Sequence, residues 1–230
     1  MSTITLLGHD YSYTITRKLI RSLSIRIRSR TSFSVSAPHL TPAFYIERFI
    51  NEHAAWIVKN SQKIAKKKTL KSLKTLKIVD KDYKIHITKS KMDSVVIFKD
   101  EQDIYANSTS LSTLHLKKLF DTKFRPFALS IISEELKKLA LEFSFSYNHV
   151  SVKNTTSRFG SCSSRNNLNF NWQVIFLPYV VFRHILLHEL SHTVHHNHSI
   201  KFWQHLASCD PSWREHRRYL KTHASSHFIV

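Results

Sequence analysis

The chain has 230 residues, 42% of them hydrophobic, so it can bury the core of one domain or of two small ones. Only 2 glycines and 5 prolines are present, which excludes a collagen-like or low-complexity protein. The two cysteines, Cys162 and Cys209, are too few for the disulfide scaffold of a small secreted protein.

The formal charge of +19 has two interpretations. It favours contact with a polyanion, such as nucleic acid, anionic lipid or an anionic substrate, and it is equally explained by solubility in a lysine-rich proteome. No RNA- or DNA-reading motif accompanies it. The first ten residues lack a signal-peptide pattern, and the longest apolar run is broken by Pro178. We therefore expect a cytoplasmic protein with no membrane partner.

The N-terminal part alternates apolar and polar residues, which predicts short antiparallel strands over residues 11–16, 23–28 and 32–36. Thr41 and Pro42 are typical of a helix start. Apolar residues at helical spacing then predict one amphipathic helix from 42 to about 60. The lysine run of 59–77 is either a polyanion-binding arm or, as we favour, a solvated helix end or linker.

Alternation returns in the middle of the chain and predicts two strands and then an edge strand. A long helical pattern follows, kinked or split at Pro126. Two extended segments flank a loop, a second helix comes next, and a last helix begins after Asp210-Pro211. No internal repeat is visible. The three strands are predicted at 83–88, 94–98 and 103–106, and the long helix at 111–142. The extended segments are predicted at 143–152 and 168–176 with the loop at 154–167 between them, and the second helix at 178–195.

The predicted helix of 178–195 carries the run His188-Glu189-Leu190-Ser191-His192. One helical turn separates the two histidines, so both imidazoles point from the same face. Two neutral imidazoles at this spacing can hold one zinc ion. The surrounding residues are apolar, and leaving these polar groups unpaired in a buried helix would be costly. The alternative is a helix whose histidines are surface-exposed or satisfied by neighbours.

A catalytic zinc needs a third protein ligand and an open position for water. Spacing alone leaves two favoured choices, His198 after a turn at Asn197, and Glu215 on a separate helix. Further residues within reach are His195, His196, His205 and Asp210.

Glu189 lies beside a predicted ligand and is predicted to act as general base on metal-activated water. His184, one turn before His188, is either a partner of the ligands or a stabiliser of a developing oxyanion. A satisfied histidine at a helix start is the interpretation that we favour for His184.

At these residues the chain resembles the YgjP-like metallopeptidase family, relatives of the SprT-like and WLM zinc proteins. The resemblance covers nearly the whole chain and is dense from Ser157 to Leu220. It implies His198 as the third ligand and an α+β fold with an antiparallel sheet against the metal helix, a minimal zincin-like core. The matching segments are Ser24–Ile27, Ala37-Pro38, Trp56-Ile57, Ser157–Ser163, Asn169–Trp172, His188–His192, Asn197–Ser199, Phe202-Trp203, Asp210-Pro211 and Leu220.

The chain departs from this family pattern at two positions. Phe159 stands where tryptophan is usual, and His184 where tyrosine is common. Arg158 is a candidate for binding a substrate carboxylate or phosphate, with local packing as the alternative. Cys162 is interpreted as a packing residue rather than a redox-sensitive thiol or ligand.

The residues predict a zinc-dependent hydrolase with His188 and His192 as ligands. The resemblance implies a metallopeptidase with one zinc on these two residues and His198, and a peptide or protein substrate. The alternatives are a zinc-dependent nucleotide phosphoanhydride hydrolase and a non-catalytic nucleic-acid-binding zinc protein. Two cysteines are few for a closed structural zinc site, which argues against the last. We expect a β-rich part with one helix over 1–110 and a zincin-like catalytic part over 111–230, within one continuous domain.

Overall fold

The computed structural model describes residues 2–62, 70, 73–155 and 158–228. These residues form three β-sheets and six α-helices, which is the α+β class that the sequence predicts. Contacts divide the chain into the units Met1–Lys67 and Lys68–Val230. The predicted parts, 1–110 and 111–230 within one continuous domain, stay a prediction. Residues 63–69 and 71–72 of the lysine run, and also Ser157, lie outside the described residues.

The first sheet, in the first unit, contains β1 (Ser2–Leu6), β2 (His9–Lys18), β3 (Ser24–Ser29) and β4 (Ser32–Pro38) in the order β1-β2-β4-β3. β1 was not predicted. The pairs β1–β2 and β3–β4 are antiparallel hairpins, but β2 and β4 run parallel. The prediction of antiparallel strands is therefore wrong for β2 and β4, because β4 folds back on β3 and inserts between β3 and β2.

Two short helices complete the first unit, α1 (Ala43–Glu52) and α2 (Ala54–Gln62), where one helix was predicted. The break falls at His53, whose ring nitrogen Nδ1 and backbone N–H both meet the carbonyl of Phe49. The core of this unit joins apolar residues of the sheet to those of the two helices: Leu6, Tyr11, Tyr13, Phe33, Val35, Ala37, Ile46, Ile50 and Ile57.

The second sheet opens the second unit and contains β5 (Thr75–Ile78), β6 (Lys81–Lys89), β7 (Ser94–Phe98) and β8 (Asp103–Ser108). Its order is β5-β6-β8-β7, with β6 and β8 parallel and the outer pairs antiparallel. β8 was predicted as an edge strand but lies inside the sheet, since it pairs with both β6 and β7. The second sheet therefore repeats the topology of the first, although no sequence repeat announces it.

A single long helix, α3 (Thr113–Phe143), crosses the second unit and continues through Pro126 without splitting. The Ser112 hydroxyl accepts a hydrogen bond from the His115 N–H and caps its start. Its buried residues, among them Phe120, Phe124 and Leu136, belong to the large core of this unit.

The third sheet contains β9 (His149–Lys153), β10 (Gly160–Cys162) and β11 (Asn167–Asn171) in the order β10-β11-β9. β11 is antiparallel to β10 and parallel to β9. β10 forms inside the segment predicted as a loop. A 3-10 helix, Trp172–Phe176, replaces the extended chain predicted there, and all five of its side chains are buried.

Three helices close the chain, α4 (Tyr179–Ser191), α5 (Ile200–Cys209) and α6 (Trp213–His227). α4 ends at Ser191, four residues before the predicted end. α5 was not predicted. Among the described residues, no helix is long and apolar enough to cross a membrane.

Candidate metal centre

α4 is a buried helix that carries the predicted metal motif. Its start is tied down because the Tyr179 N–H donates to a carboxylate oxygen of Asp80 at 2.8 Å. A carboxylate at this end of a helix also meets the positive pole of the helix dipole. Nine residues of α4 are buried, so its polar side chains can reach only the few groups packed around them.

The structure brings His188, His192 and His198 together. One nitrogen of each ring lies within 4.8 Å of the others. Nε2 of His188 and Nε2 of His198 are 3.2 Å apart. His188 lies on α4, His192 directly follows its last residue, and His198 lies in the loop before α5. The turn after α4 thus folds the third imidazole back over the first two.

The chemistry of these rings fits a zinc ion. Two nitrogens that bind zinc tetrahedrally at 2.0–2.1 Å lie about 3.3 Å apart, close to the His188–His198 separation. Nδ1 of His192 lies 3.0 Å from the His195 carbonyl oxygen. Because a carbonyl oxygen only accepts, Nδ1 carries the hydrogen and donates it, which leaves the lone pair of Nε2 free to bind a metal. Burial is the main cause that lowers the pKa of His188 to about 3, and burial also lowers the pKa of His192. Both rings are therefore neutral at pH 7, as metal ligands must be.

The other residues considered for the third ligand point elsewhere. The ring of His195 packs against that of His205, with centroids 5.6 Å apart. Asp210 accepts from two other histidines. His196 and Glu215 are exposed and belong to no group of potential ligands in the described part of the chain.

Aromatic side chains of α5 hold the three imidazoles in place. The fully buried Phe202 ring contacts His188, His192 and His198, with centroids 4.5 to 5.0 Å away. Trp203 stacks on the His198 ring, and its indole N–H donates to the His198 carbonyl at 3.1 Å. No helix was predicted for the residues of α5, so this support of the imidazoles was not expected. The Phe202-Trp203 pair was its only signal.

Glu189 points from α4 toward β10. It is 6% exposed, and burial raises its pKa to about 8, while the positive charge of Arg158 acts in the opposite direction. The strand can approach because residue 160 is glycine: a Cβ there would lie 2.7 Å from Cγ of Glu189. Glycine at 160 thus makes room for the carboxylate beside the histidine cluster.

His184, Asp210 and His216 form a second buried group beside the first. Nδ1 of His184 lies 2.6 Å, and Nδ1 of His216 3.0 Å, from the same oxygen of Asp210. Burial tends to raise the pKa of Asp210, but the two imidazole hydrogen bonds outweigh it and hold that pKa below its usual 3.8. Asp210 is therefore the acceptor that fixes the His184 ring. Sequence spacing gave no sign of a pairing across 26 residues.

A cavity of about 320 Å³ opens beside His188 and Glu189. His184 lines it, together with Arg158 and the apolar Phe159, whose ring meets Phe228 edge-on. Cys162 is the last residue of β10 and does not line this cavity, and burial, reinforced by the charge of Glu189, raises the pKa of its thiol to about 11. A thiol protonated at pH 7 is neither a nucleophile nor a ready metal ligand.

Comparison with known proteins gave one family match and a weak structural likeness. The crystal structure of the metallopeptidase zymogen of Methanocaldococcus jannaschii jannalysin is similar over 39% of this chain and 95% of that chain, at 21% identity and a TM-score of 0.34. A search of curated proteins gave no match. The model of the YgjP-like metallopeptidase domain matches residues 21–223. This chain therefore belongs to the YgjP-like metallopeptidase family.

Proposed function

We propose that the protein is a zinc-dependent metallopeptidase, with one zinc ion on His188, His192 and His198 and Glu189 as general base. The observation that carries the proposal is the convergence of three imidazoles beside a buried carboxylate at the edge of a cavity. A zinc ion held there would supply a water of lowered pKa and polarise the peptide carbonyl.

The chain's own groups have separate tasks in this proposal. The charge of a zinc ion bound nearby would offset the burial that raises the pKa of Glu189, and its carboxylate would then accept the proton of the attacking water and pass it to the leaving amine. Gly160 leaves the space in which its carboxylate is held. The His195 carbonyl fixes the tautomer of His192, and the Trp203 indole anchors the backbone of His198. Phe202 and the core around α4 exclude water from one side of the three rings.

The third-ligand assignment has a direct test in metal content. We expect zinc analysis of the purified protein to give one ion per chain. The double variant His188→Ala/His192→Ala should lose it, and His198→Ala should bind it far more weakly. Glu215→Ala is the matched control and should keep it. Full zinc content in the double variant would contradict the site, and loss in Glu215→Ala alone would move the third ligand.

The base has its own test in Glu189→Gln. Positioned proton transfer contributes about 10²–10⁴-fold to a rate, so this variant should bind zinc and lose peptidase activity by at least that factor. Glu135→Gln is the matched control, since Glu135 is a buried carboxylate that accepts from the Tyr179 hydroxyl outside the site. A peptide library and nucleoside triphosphates should be assayed in parallel. Peptide cleavage by Glu189→Gln at the wild-type rate would refute the mechanism, and zinc-dependent turnover of nucleotides alone would replace the peptidase by a nucleotide hydrolase.

The non-catalytic alternative has less support. A structural zinc site usually closes with four ligands, often cysteines. In the part of the chain that the structure describes, each group of potential ligands has three members, and neither cysteine belongs to one.

A further inference from the structure

Three positively charged side chains line the cavity beside the candidate metal centre. They are Arg158, which precedes β10, and Arg217 and Lys221 on α6. All three are exposed. Glu189 is the one carboxylate among the residues that line this cavity, and it is buried. The open part of the cavity wall is therefore positively charged.

None of these three cations has an acidic partner within 4 Å among the described residues. Other arginines of the same unit do have one: Arg125 pairs with Asp121, and Arg183 with Glu142. Cations that surround a cavity without carboxylate partners repel one another, and an anion that enters between them relieves that repulsion.

One of the three charged groups is held in position, and a second extends from a fixed stretch of backbone. The Arg217 guanidinium lies over the Trp203 ring, 5.0 Å from its centroid, and Trp203 in turn stacks on His198. The backbone next to Arg158 is fixed by a 2.8 Å hydrogen bond from the Thr155 hydroxyl to the Arg158 carbonyl. Lys221 lies one helical turn after Arg217, on the same face of α6. The positive groups thus approach the cavity from two sides.

We propose that this cavity binds a carboxylate of the peptide substrate, close to the bond that is cleaved, through Arg158, Arg217 and Lys221. Arginine binds carboxylates through two parallel hydrogen bonds, and lysine adds a point charge. The carboxylate comes from an acidic side chain or from the C-terminus of a short peptide. The inference rests on the proposed peptidase function and names its substrate class.

The test compares matched peptides on the zinc-loaded protein and, for binding alone, on Glu189→Gln. One pair carries Glu or Gln at the same position, and a second pair ends in a free carboxylate or in an amide. We expect the free carboxylate in at least one pair to raise kcat/KM and the association constant about tenfold or more, the effect of one charge-assisted hydrogen bond. The pair that shows it identifies the source of the carboxylate.

Variants then separate local recognition from the overall charge. Arg158→Gln and Lys221→Gln should each reduce the preference, and the double variant, which keeps only Arg217 of the three cations, should reduce it further. Neither change touches Trp203. Arg217→Gln should reduce it too, but alters the stack on Trp203. Arg218→Gln removes the same charge one residue along α6, outside the cavity lining, and should keep the full preference.

Equal kcat/KM values and equal association constants for the two members of each pair would overturn the inference. A loss of the preference in Arg218→Gln as large as that in Arg158→Gln would overturn it too. Carboxylate-dependent binding to Glu189→Gln without cleavage of any peptide by the wild type would refute the peptidase function while the binding site stands. Tight binding of nucleoside triphosphates, with no peptide bound, would refute both.

Discussion

The first and second sheets have the same topology and serve different purposes. Each opens with a two-residue hairpin whose turn has positive φ, at Leu7 and Gly8 in one and at Val79 and Asp80 in the other. Each then places its fourth strand parallel to its second. The difference lies in what the sheets pack against, since only the second belongs to the core that includes α4.

The two hairpin turns show this difference at the level of single residues. In the second sheet the Val79 N–H donates to the Ile175 carbonyl, and the Asp80 side chain accepts from the first turn of α4. In the first sheet the corresponding residue is Gly8, which has no side chain that could accept a hydrogen bond. The same backbone turn therefore helps to position α4 in the second sheet and only reverses the chain in the first.

The largest expected effect comes from truncating equivalent core residues of the two sheets. Phe33 on β4 and Ile104 on β8 occupy matching positions and are both buried. Phe33→Ala should cost about 3–5 kcal/mol and Ile104→Ala about 2–5 kcal/mol in the free energy of unfolding. Hydrogen exchange of each unit measures these losses. We expect exchange in α4 to rise for Ile104→Ala, and zinc affinity to stay unchanged in Phe33→Ala. A tenfold weaker zinc affinity in Phe33→Ala would show that the first sheet also supports the candidate site, which would contradict the difference between the two sheets.

A smaller effect concerns pH, because the buried aspartate, glutamate and histidine side chains of the described residues lie in the second unit. Asp210→Asn should cost about 1–3 kcal/mol at pH 7, since one of two buried imidazole donors loses its acceptor. Folding lowers the pKa of Asp210 below its usual 3.8. The ionised carboxylate therefore contributes its full stabilisation above pH 3.8, and this contribution is lost as the pH falls through the lower pKa of the folded state.

Urea unfolding between pH 7 and pH 3 measures this dependence. The gap between the wild type and Asp210→Asn should narrow below pH 3.8. Asp10 of the first sheet, exposed and bonded to the Thr5 hydroxyl, is the matched control, and Asp10→Asn should have a much smaller effect. A gap for Asp210→Asn that stays constant across the range would contradict the assigned pairing.

The smallest effect comes from the hairpin turns. Asp80→Gly keeps the positive φ of 61° and removes only the cap of α4, which should cost about 1 kcal/mol. Gly8→Ala should cost about 1 kcal/mol from backbone strain alone, because nothing lies within 4 Å of the added Cβ. Hydrogen exchange in the first turn of α4 should rise for Asp80→Gly. If the same turn responds to Gly8→Ala, the two hairpins do not differ as described.

Local patterns predicted the elements whose signals are local. Alternation indicated six of the strands, and one helical turn between His188 and His192 indicated their common face. Sheet pairing could not be predicted, because whether β2 lies beside β3 or beside β4 depends on contacts between distant segments. Pro126 was overestimated as a helix breaker, since the burial of α3 compensates for one missing N–H. The bond from His184 to Asp210 depends on how α4 and α5 pack, which spacing does not encode.

Gly160 gives the site a requirement that can be read in other sequences. Gly160 is one of the 2 glycines of the chain. The space between β10 and the Glu189 carboxylate at this position is too small even for a methyl group. A homologue with any side chain at this position could not keep both the spacing of β10 and α4 and the present position of the carboxylate. The residue aligned with Gly160 is therefore a simple marker for sorting homologues, and a non-glycine there flags a chain whose base has moved or whose catalysis has been lost.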